Sequence, residues 1–313
     1  MLRRRAEIIR QARSFFDSKN YLETDTPLLS PDLIPESCLE VFETSRIMPG
    51  MAPPQALYLV PSPEIWMKKL IAEHRVNIYQ ICKCFRNGES IGRLHSPEFT
   101  MLEYYTMDAD YLDSLALTEE LFSVLAPQPG GVQFMRVTVA EAFGRWAGFD
   151  LFDAAEKKGG METEARRLGI DPMPGLGVPA LYDLIFIHAL EPRLREEGLV
   201  ALLDYPAFVP CLAKKKGRAV ERWELYGAGI ELANCFSEET DPAAVRRFFE
   251  SEAAAKEKSA IVRHRIDRNY WQIFQARNAQ GFPRCSGVAM GIDRLIMYLC
   301  GKSTIDAALA RPL

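Results

Sequence analysis

The residues of this sequence best suited to chemistry are an arginine, an aromatic plate and a carboxylate placed on a predicted hairpin. Arg86 ends a strand, a polar loop follows, and the next strand carries Phe99, Met101, Glu103 and Tyr105 at alternate positions. Alternate side chains of a strand share one face. A phenylalanine offers a plate on which a purine stacks. A carboxylate beside a phenolic oxygen suits a primary ammonium, which has three donors to satisfy. A planar guanidinium bridges a phosphate and a carboxylate. Together they suit ATP and a cationic amino acid held side by side. On the hairpin alone, a surface ribbon with an aromatic face and scattered charges is an equal reading.

The elements that must position these groups follow from periodicity and punctuation. Ile8, Ala12 and Phe15 at helical spacing predict a helix over 3–19, and a short strand at 21–27 is stopped by Pro27. Residues 32–56, with Pro49, Gly50, Pro53 and Pro54, read as loop. Ser62-Pro63-Glu64 reads as N-cap, proline at N1 and an early acid, opening a helix that ends near Glu73. Strands at 76–85 and 98–105 form the hairpin, and a helix at 111–125 breaks at Pro127. Residues 132–200 read as a helical insertion or subdomain. Strands return at 199–204 and 220–236. Asp241-Pro242 caps a helix to about 257, another helix is expected at 267–279, and a final strand and helix fill 285–300. Gly287 and Gly291 at that last junction let backbone come close to a ligand. The order favours an α+β fold with a mainly antiparallel sheet.

Composition narrows the class. With 313 residues, 48% of them hydrophobic, the chain is long enough for a sizeable core. It contains no run of 18 apolar residues, so a membrane span is not expected. The seven cysteines lack paired Cys-x-x-Cys spacing, which argues against zinc and a disulfide framework and suits a reduced, cytoplasmic setting. Cys82 and Cys84 read as ordinary strand residues. A net charge of -4 argues against an extensive nucleic-acid surface; Lys214-Lys215-Lys216-Gly217-Arg218 reads better as a solvated loop.

Phe85-Arg86-Asn87-Gly88-Glu89 with His95-Ser96-Pro97-Glu98-Phe99 resembles motif 2 of the class II aminoacyl-tRNA synthetases, in the lysine-specific form. Gly287-Val288-Ala289-Met290-Gly291-Ile292-Asp293-Arg294 resembles motif 3, and the helix–strand–proline order of residues 3–27 resembles motif 1. The resemblance implies a class II catalytic core as a single domain, with 132–200 as an insertion and no anticodon-binding domain. It assigns ATP contacts to Arg86, Asn87, Gly88, Glu89, His95, Ser96, Phe99, Glu231, Leu232, Gly291 and Arg294. Glu103 and Tyr105 would receive an ε-amino group, and Ser62 and Glu64 a second amino group. The usual Phe-Arg-x-Glu is broken here: Gly88 stands at the glutamate position and Glu89 one step later.

Gly229-Ile230-Glu231-Leu232-Ala233-Asn234-Cys235-Phe236-Ser237-Glu238 resembles a further segment of the same branch. It gives Glu231 to Mg²⁺ on the ATP phosphates, Asn234 to the amino acid and Glu238 to the ε-ammonium. Several carboxylates around one ammonium make chemical sense, since a buried cation needs compensation. Strict alternation would put Glu231 opposite Asn234 and Glu238. If all three face the ligand, the strand must bulge or bend near Ala233. An edge strand with solvated acids is the alternative.

Truncation ahead of motif 1 and alanine at position 289 resemble the lysyl-tRNA synthetase paralogues that act on translation elongation factor P. That implies an ATP-dependent, AMP-forming ligase. It would activate (R)-β-lysine or lysine as an adenylate and pass it to a lysine side chain of that acceptor protein. Arg86, Arg294 and Glu231 would be its catalytic residues, Ala289 would shape the amino-acid pocket, and a homodimer is expected. Transfer to tRNA or another acceptor, and a non-catalytic lysine- or ATP-sensing paralogue, are the alternatives.

Overall fold

The computed structural model describes residues 1–50, 53–89, 92–275 and 281–312. In chain order its helices are α1 (Leu2–Ser18), α2 (Glu64–His74), α3 (Tyr111–Leu125), α4 (Val139–Ala142), α5 (Leu151–Glu156), α6 (Gly160–Arg167), α7 (Val178–Ile185), α8 (Glu191–Leu194), α9 (Pro242–Ser259) and α10 (Ile292–Leu299). The first strands are β1 (Leu22–Glu23), β2 (Leu29–Ser30), β3 (Phe42–Arg46), β4 (Gln55–Leu59), β5 (Ile78–Phe85) and β6 (Glu98–Met107). Then come β7 (Met135–Thr138), β8 (Leu199–Leu203), β9 (Lys215–Lys216), β10 (Ala219–Val220), β11 (Arg222–Gly227), β12 (Ile230–Ser237) and β13 (Cys285–Gly291).

An eight-stranded sheet in the order β1-β5-β6-β13-β12-β11-β8-β7 organises the molecule. Its central pairs are antiparallel, and the end pairs β1–β5 and β7–β8 are parallel. The expected α+β class with a mainly antiparallel sheet is therefore what forms. β6 shows how the pleat divides labour. Leu102 and Tyr104 enter the core formed with α1, α3 and α10, while Met101, Glu103 and Tyr105 face the other way, into a cavity. Tyr104 closes its side of the sheet, its hydroxyl 2.6 Å from that of Thr118 on α3.

Several elements differ from the sequence expectations. Residues 32–56 are not all loop: β3 and the start of β4 lie there, in a small β2-β4-β3 sheet. β3 is almost wholly exposed, so no buried face gave it an alternating pattern. Pro63, not Ser62, is the N-cap of α2, and no side chain caps that end. The helix expected at 267–279 is a short 3₁₀ segment, Tyr270–Phe274, whose Tyr270 and Phe274 rings are buried; positions 276–280 lie outside the described residues. The 132–200 region begins with β7, an edge strand of the main sheet, before its helices. Those helices bury an apolar cluster of their own against β8. Asp241 caps α9 through Ala243 and Ala244, and α3 carries a capping box between Asp110 and Asp113. Among the described residues no helix is long and apolar enough to cross a membrane.

Candidate active site

The face of the sheet opposite α1 and α3 floors a cavity of about 560 Å³. β6, β12 and β13 supply its floor, α2 and residues 34–39 one wall, and the start of α10 another. Phe99 and Glu103 sit four residues apart on one face of β6, so about 13 Å separates the aromatic plate from the carboxylate. That spacing suits a nucleotide base at one end and a ligand ammonium further along.

The acidic end is built from distant segments. Glu103 is buried; its Oε1 accepts a 2.7 Å hydrogen bond from Tyr105, and its Oε2 has no partner. Burial, reinforced by the charge of Glu64, pushes the Glu103 carboxyl well above its ordinary range. Burial and the nearby Glu103 push the Tyr105 phenol up as well. Lys68, one turn after Glu64 on α2, is fully buried. Its Nζ lies 2.6 Å from Glu64 Oε1 and 2.8 Å from Glu238 Oε2, and 5.2 Å from the Phe236 ring centroid. Burial favours a neutral amine there, but the Glu238 and Glu64 charges outweigh it and hold Lys68 ionised. Glu238 is itself pushed up to about 7, by burial first, with Lys68 pulling back. Glu36, from the wall segment, is also raised to about 7 by burial and by Glu64.

The basic end holds two guanidinium groups. Arg86 follows β5 and stands 5.3 Å from the Phe99 ring centroid; its buried Nε has no partner. Arg294 opens α10. Its Nε donates to the Leu94 carbonyl at 3.2 Å, and its Nη1 donates to the Glu231 carbonyl at 3.2 Å and lies 3.5 Å from that residue's carboxylate. The preceding Asp293 pins this helix start to β6: it accepts from the Thr100 amide at 2.6 Å and from Arg5 at 2.5 Å. Burial and the charge of Arg294 lower the pKa of His95, whose Nε2 lies 3.6 Å from Glu89 Oε2.

β12 contains the irregularity that its ligand face requires. Leu225 pairs with Ala233 but the next residue, Tyr226, pairs with Glu231, so Leu232 is an extra residue in the strand. The bulge resets the alternation and lets Glu231 reach the cavity wall along with Asn234 and Glu238. On β13, opposite Glu103, Ala289 presents its methyl group to the cavity.

Of the residues singled out from sequence, Ser62, Glu64, Arg86, Glu89, His95, Ser96, Phe99, Glu103, Tyr105, Glu231, Leu232, Asn234, Glu238, Ala289, Gly291 and Arg294 line this one cavity. Asn87 and Gly88 do not. The Asn87 amide is spent on the Val41 carbonyl and the Gly88 amide, and its backbone N–H goes to Glu40; Gly88 takes φ +68°, which turns the loop. Lys68, Arg222, Glu224 and Glu36 were missed. The acid–x–x–x–lysine spacing on α2 was the available signal for Lys68, but it also describes an ordinary exposed pair.

A divalent cation has few chain ligands here. Among the described residues no group of three His, Cys, Asp or Glu side chains could hold a metal. Glu231 and Glu224 line the same part of the wall, and the Glu231 carboxyl is raised by burial and by Glu224. Both Glu224 oxygens are taken by Arg222, Tyr205 and Tyr226, which leaves Glu231 as the carboxylate for a Mg²⁺ that keeps phosphate and water oxygens for the rest of its shell.

Comparison with known proteins gives the family. The model of the family described as tRNA synthetases class II (D, K and N) matches residues 1–313. The chain belongs to the class II tRNA synthetase family. Among its relatives in that family, the elongation factor P--(R)-beta-lysine ligase of Vibrio atlanticus is 35% identical over 319 residues, covering 99% of this chain and 95% of the relative. The protein of the same name from Vibrio cholerae is 36% identical, covering 99% and 94%. That from Avibacterium paragallinarum is 34% identical, covering 98% and 93%.

Proposed function

We propose that this class II synthetase relative is an AMP-forming ligase that activates (R)-β-lysine, or lysine, with ATP and transfers it to a lysine side chain of elongation factor P. One observation carries the reading. Arg86 and Arg294 share a cavity with the buried, unpartnered Glu103 Oε2, so phosphate-binding and ammonium-binding groups converge on one space. The names of the relatives support the choice of acceptor and amino acid.

In the first step a substrate carboxylate oxygen attacks the α-phosphorus of ATP and the bond to pyrophosphate breaks, giving an acyl-adenylate. Arg86, between the Phe99 plate and the acidic end, takes the α-phosphate and the substrate carboxylate in its planar fork. Arg294, held by the Leu94 and Glu231 carbonyls, faces the outer phosphates. Glu231 would hold Mg²⁺, which supplies charge neutralisation for the departing pyrophosphate. Glu103 and Tyr105 seat the ε-ammonium, and Ser62 and Glu64 the other amino group. The chain offers no covalent nucleophile to this scheme; orientation and fixed charge lower the barrier. In the second step a neutral acceptor amine attacks the adenylate carbonyl, AMP leaves with the bonding pair, and an amide forms as the amine loses a proton.

The Ala289 methyl narrows the amino-acid pocket, and a preference for a β-amino over an α-amino group of about 10- to 200-fold, the scale of one methyl in a pocket, is expected. We further assign the chain to a homodimer in the cytoplasm, working as one catalytic unit on which residues 132–200 form an insertion. Pyrophosphate exchange with (R)-β-lysine, with α-lysine and with neither tests the activation step. Mass spectrometry of elongation factor P then reads the acceptor: a gain of one lysyl mass is expected, and charging of tRNA alone overturns the assignment.

A further inference from the structure

Arg222 and Glu224 alternate on β11 and Asn234 stands opposite Glu224 on β12, so the three form one patch of the cavity wall. Arg222 Nε donates to Asn234 Oδ1 at 3.1 Å, and Arg222 Nη2 donates to Glu224 Oε1. The guanidinium carbon stands 4.6 Å from the Tyr205 ring centroid. The second oxygen of Glu224 accepts from the hydroxyls of Tyr205 and Tyr226, each at 2.7 Å. Arg222 is therefore held from three directions.

That arrangement decides the polarity of Asn234. An arginine Nε–H only donates, so the atom of the amide that meets it is the oxygen. The NH₂ group is then the end of the amide left to the cavity that Asn234 lines. An NH₂ donor there serves an anion and repels an ammonium. Had the amide been free to flip, it would have offered either polarity. We infer that Arg222 is a positioning residue that fixes the Asn234 amide as a hydrogen-bond donor, and so makes this wall selective for the substrate's carboxylate. The inference deepens the amino-acid ligase reading and rests on it.

The test compares (R)-β-lysine with 1,4-diaminopentane, the same diamine without its carboxylate. Binding of each to the full chain is measured by titration calorimetry, for wild type, for Asn234→Asp and for the charge-balanced Arg222→Met/Glu224→Gln double variant. Wild type prefers the acid. In Asn234→Asp, Arg222 holds one oxygen and the other faces the cavity as a bare acceptor. The preference for the acid falls by about tenfold or more, the scale of one hydrogen bond to a charged group, while the diamine binds as well as before or more tightly. The double variant loses preference in the same direction because its amide is free to rotate. An unchanged preference in Asn234→Asp overturns the inference even where the double variant fails to fold, and so do equal losses for acid and diamine. A wild type that binds neither compound fails the functional reading, and the inference with it. A wild type that discriminates beside variants that discriminate equally fails the inference alone.

Discussion

Glu103 is the residue on which the amino-acid end turns. It is buried, one oxygen is held by Tyr105 and the other has no partner, an arrangement that a bound ammonium completes. Glu103→Gln keeps the shape and removes the charge. KM for lysine or (R)-β-lysine in pyrophosphate exchange is expected to rise by about 10- to 100-fold, the scale of a charged hydrogen bond, with KM for ATP unchanged. A collapse in ATP affinity would place the ε-amino site elsewhere. Lys68 poses the complementary test. Lys68→Met leaves the Glu64 and Glu238 carboxylates without their buried cation, and breaking such a pair costs about 3–5 kcal/mol; chemical denaturation reads the loss. Glu103 and Tyr105 were legible because strand alternation alone puts them on one face. Lys68 was not, because its second partner, Glu238, lies 170 positions away in the chain, and no local pattern encodes that meeting. Arg222 and Glu224 stayed hidden for a related reason: two residues apart on a strand, they read as a solvent-facing pair until burial is known.

At the scale of elements, the site depends on two places where regular strand geometry is broken or crowded. The first is the Leu232 bulge, legible in advance because Glu231, Asn234 and Glu238 cannot share a face of a regular strand. The second is Gly287, opposite Tyr105 in the β6–β13 pair. A Cβ added there would lie 2.5 Å from the Tyr105 ring and 3.2 Å from Glu238 Oε1. Gly287→Ala must therefore displace Tyr105 from Glu103 or move the strands apart. The expected result is a folded protein with lysine KM raised about tenfold or more, the scale of one lost charge-assisted contact, and a near-normal ATP KM. A variant with wild-type lysine KM would mean that Tyr105 has room to yield without leaving Glu103. One element escaped the sequence because it has no buried face. β3 reads Phe-Glu-Thr-Ser-Arg and stays almost wholly exposed. Its strand character comes from pairing with β4, a long-range contact, and not from its own pattern.

For the whole molecule, this concentration of acids in one cavity makes stability depend on pH in an unusual direction. The Glu238 carboxyl is raised from an ordinary 4.5 to about 7, by burial against the pull of Lys68. Glu36 reaches about 7, and Glu103 moves the same way. A carboxyl that binds its proton more tightly in the folded than in the unfolded chain stabilises the fold while protonated. That contribution is complete below about pH 4.5 and is lost as pH climbs through 7. For buried Glu238 alone it is on the order of 1 kcal/mol or more. The ligand-free protein should therefore melt at a lower temperature at pH 8 than at pH 5.5, whereas carboxylates held ionised in the fold contribute their full stability across that interval. A diammonium ligand reverses the trend, because it binds the ionised carboxyls and expels their protons. The rise in Tm produced by saturating lysine should grow steadily from pH 5.5 to 8, and calorimetry in buffers of different ionisation enthalpy should register proton release on binding. Glu103→Gln and Glu238→Gln should each flatten the ligand-free curve. A ligand-free Tm that does not fall with pH in the wild type, or a lysine-induced shift constant across the range, would mean that these carboxyls are already ionised in the empty cavity. The cavity would then be charged in advance of its ligand instead of being charged by it.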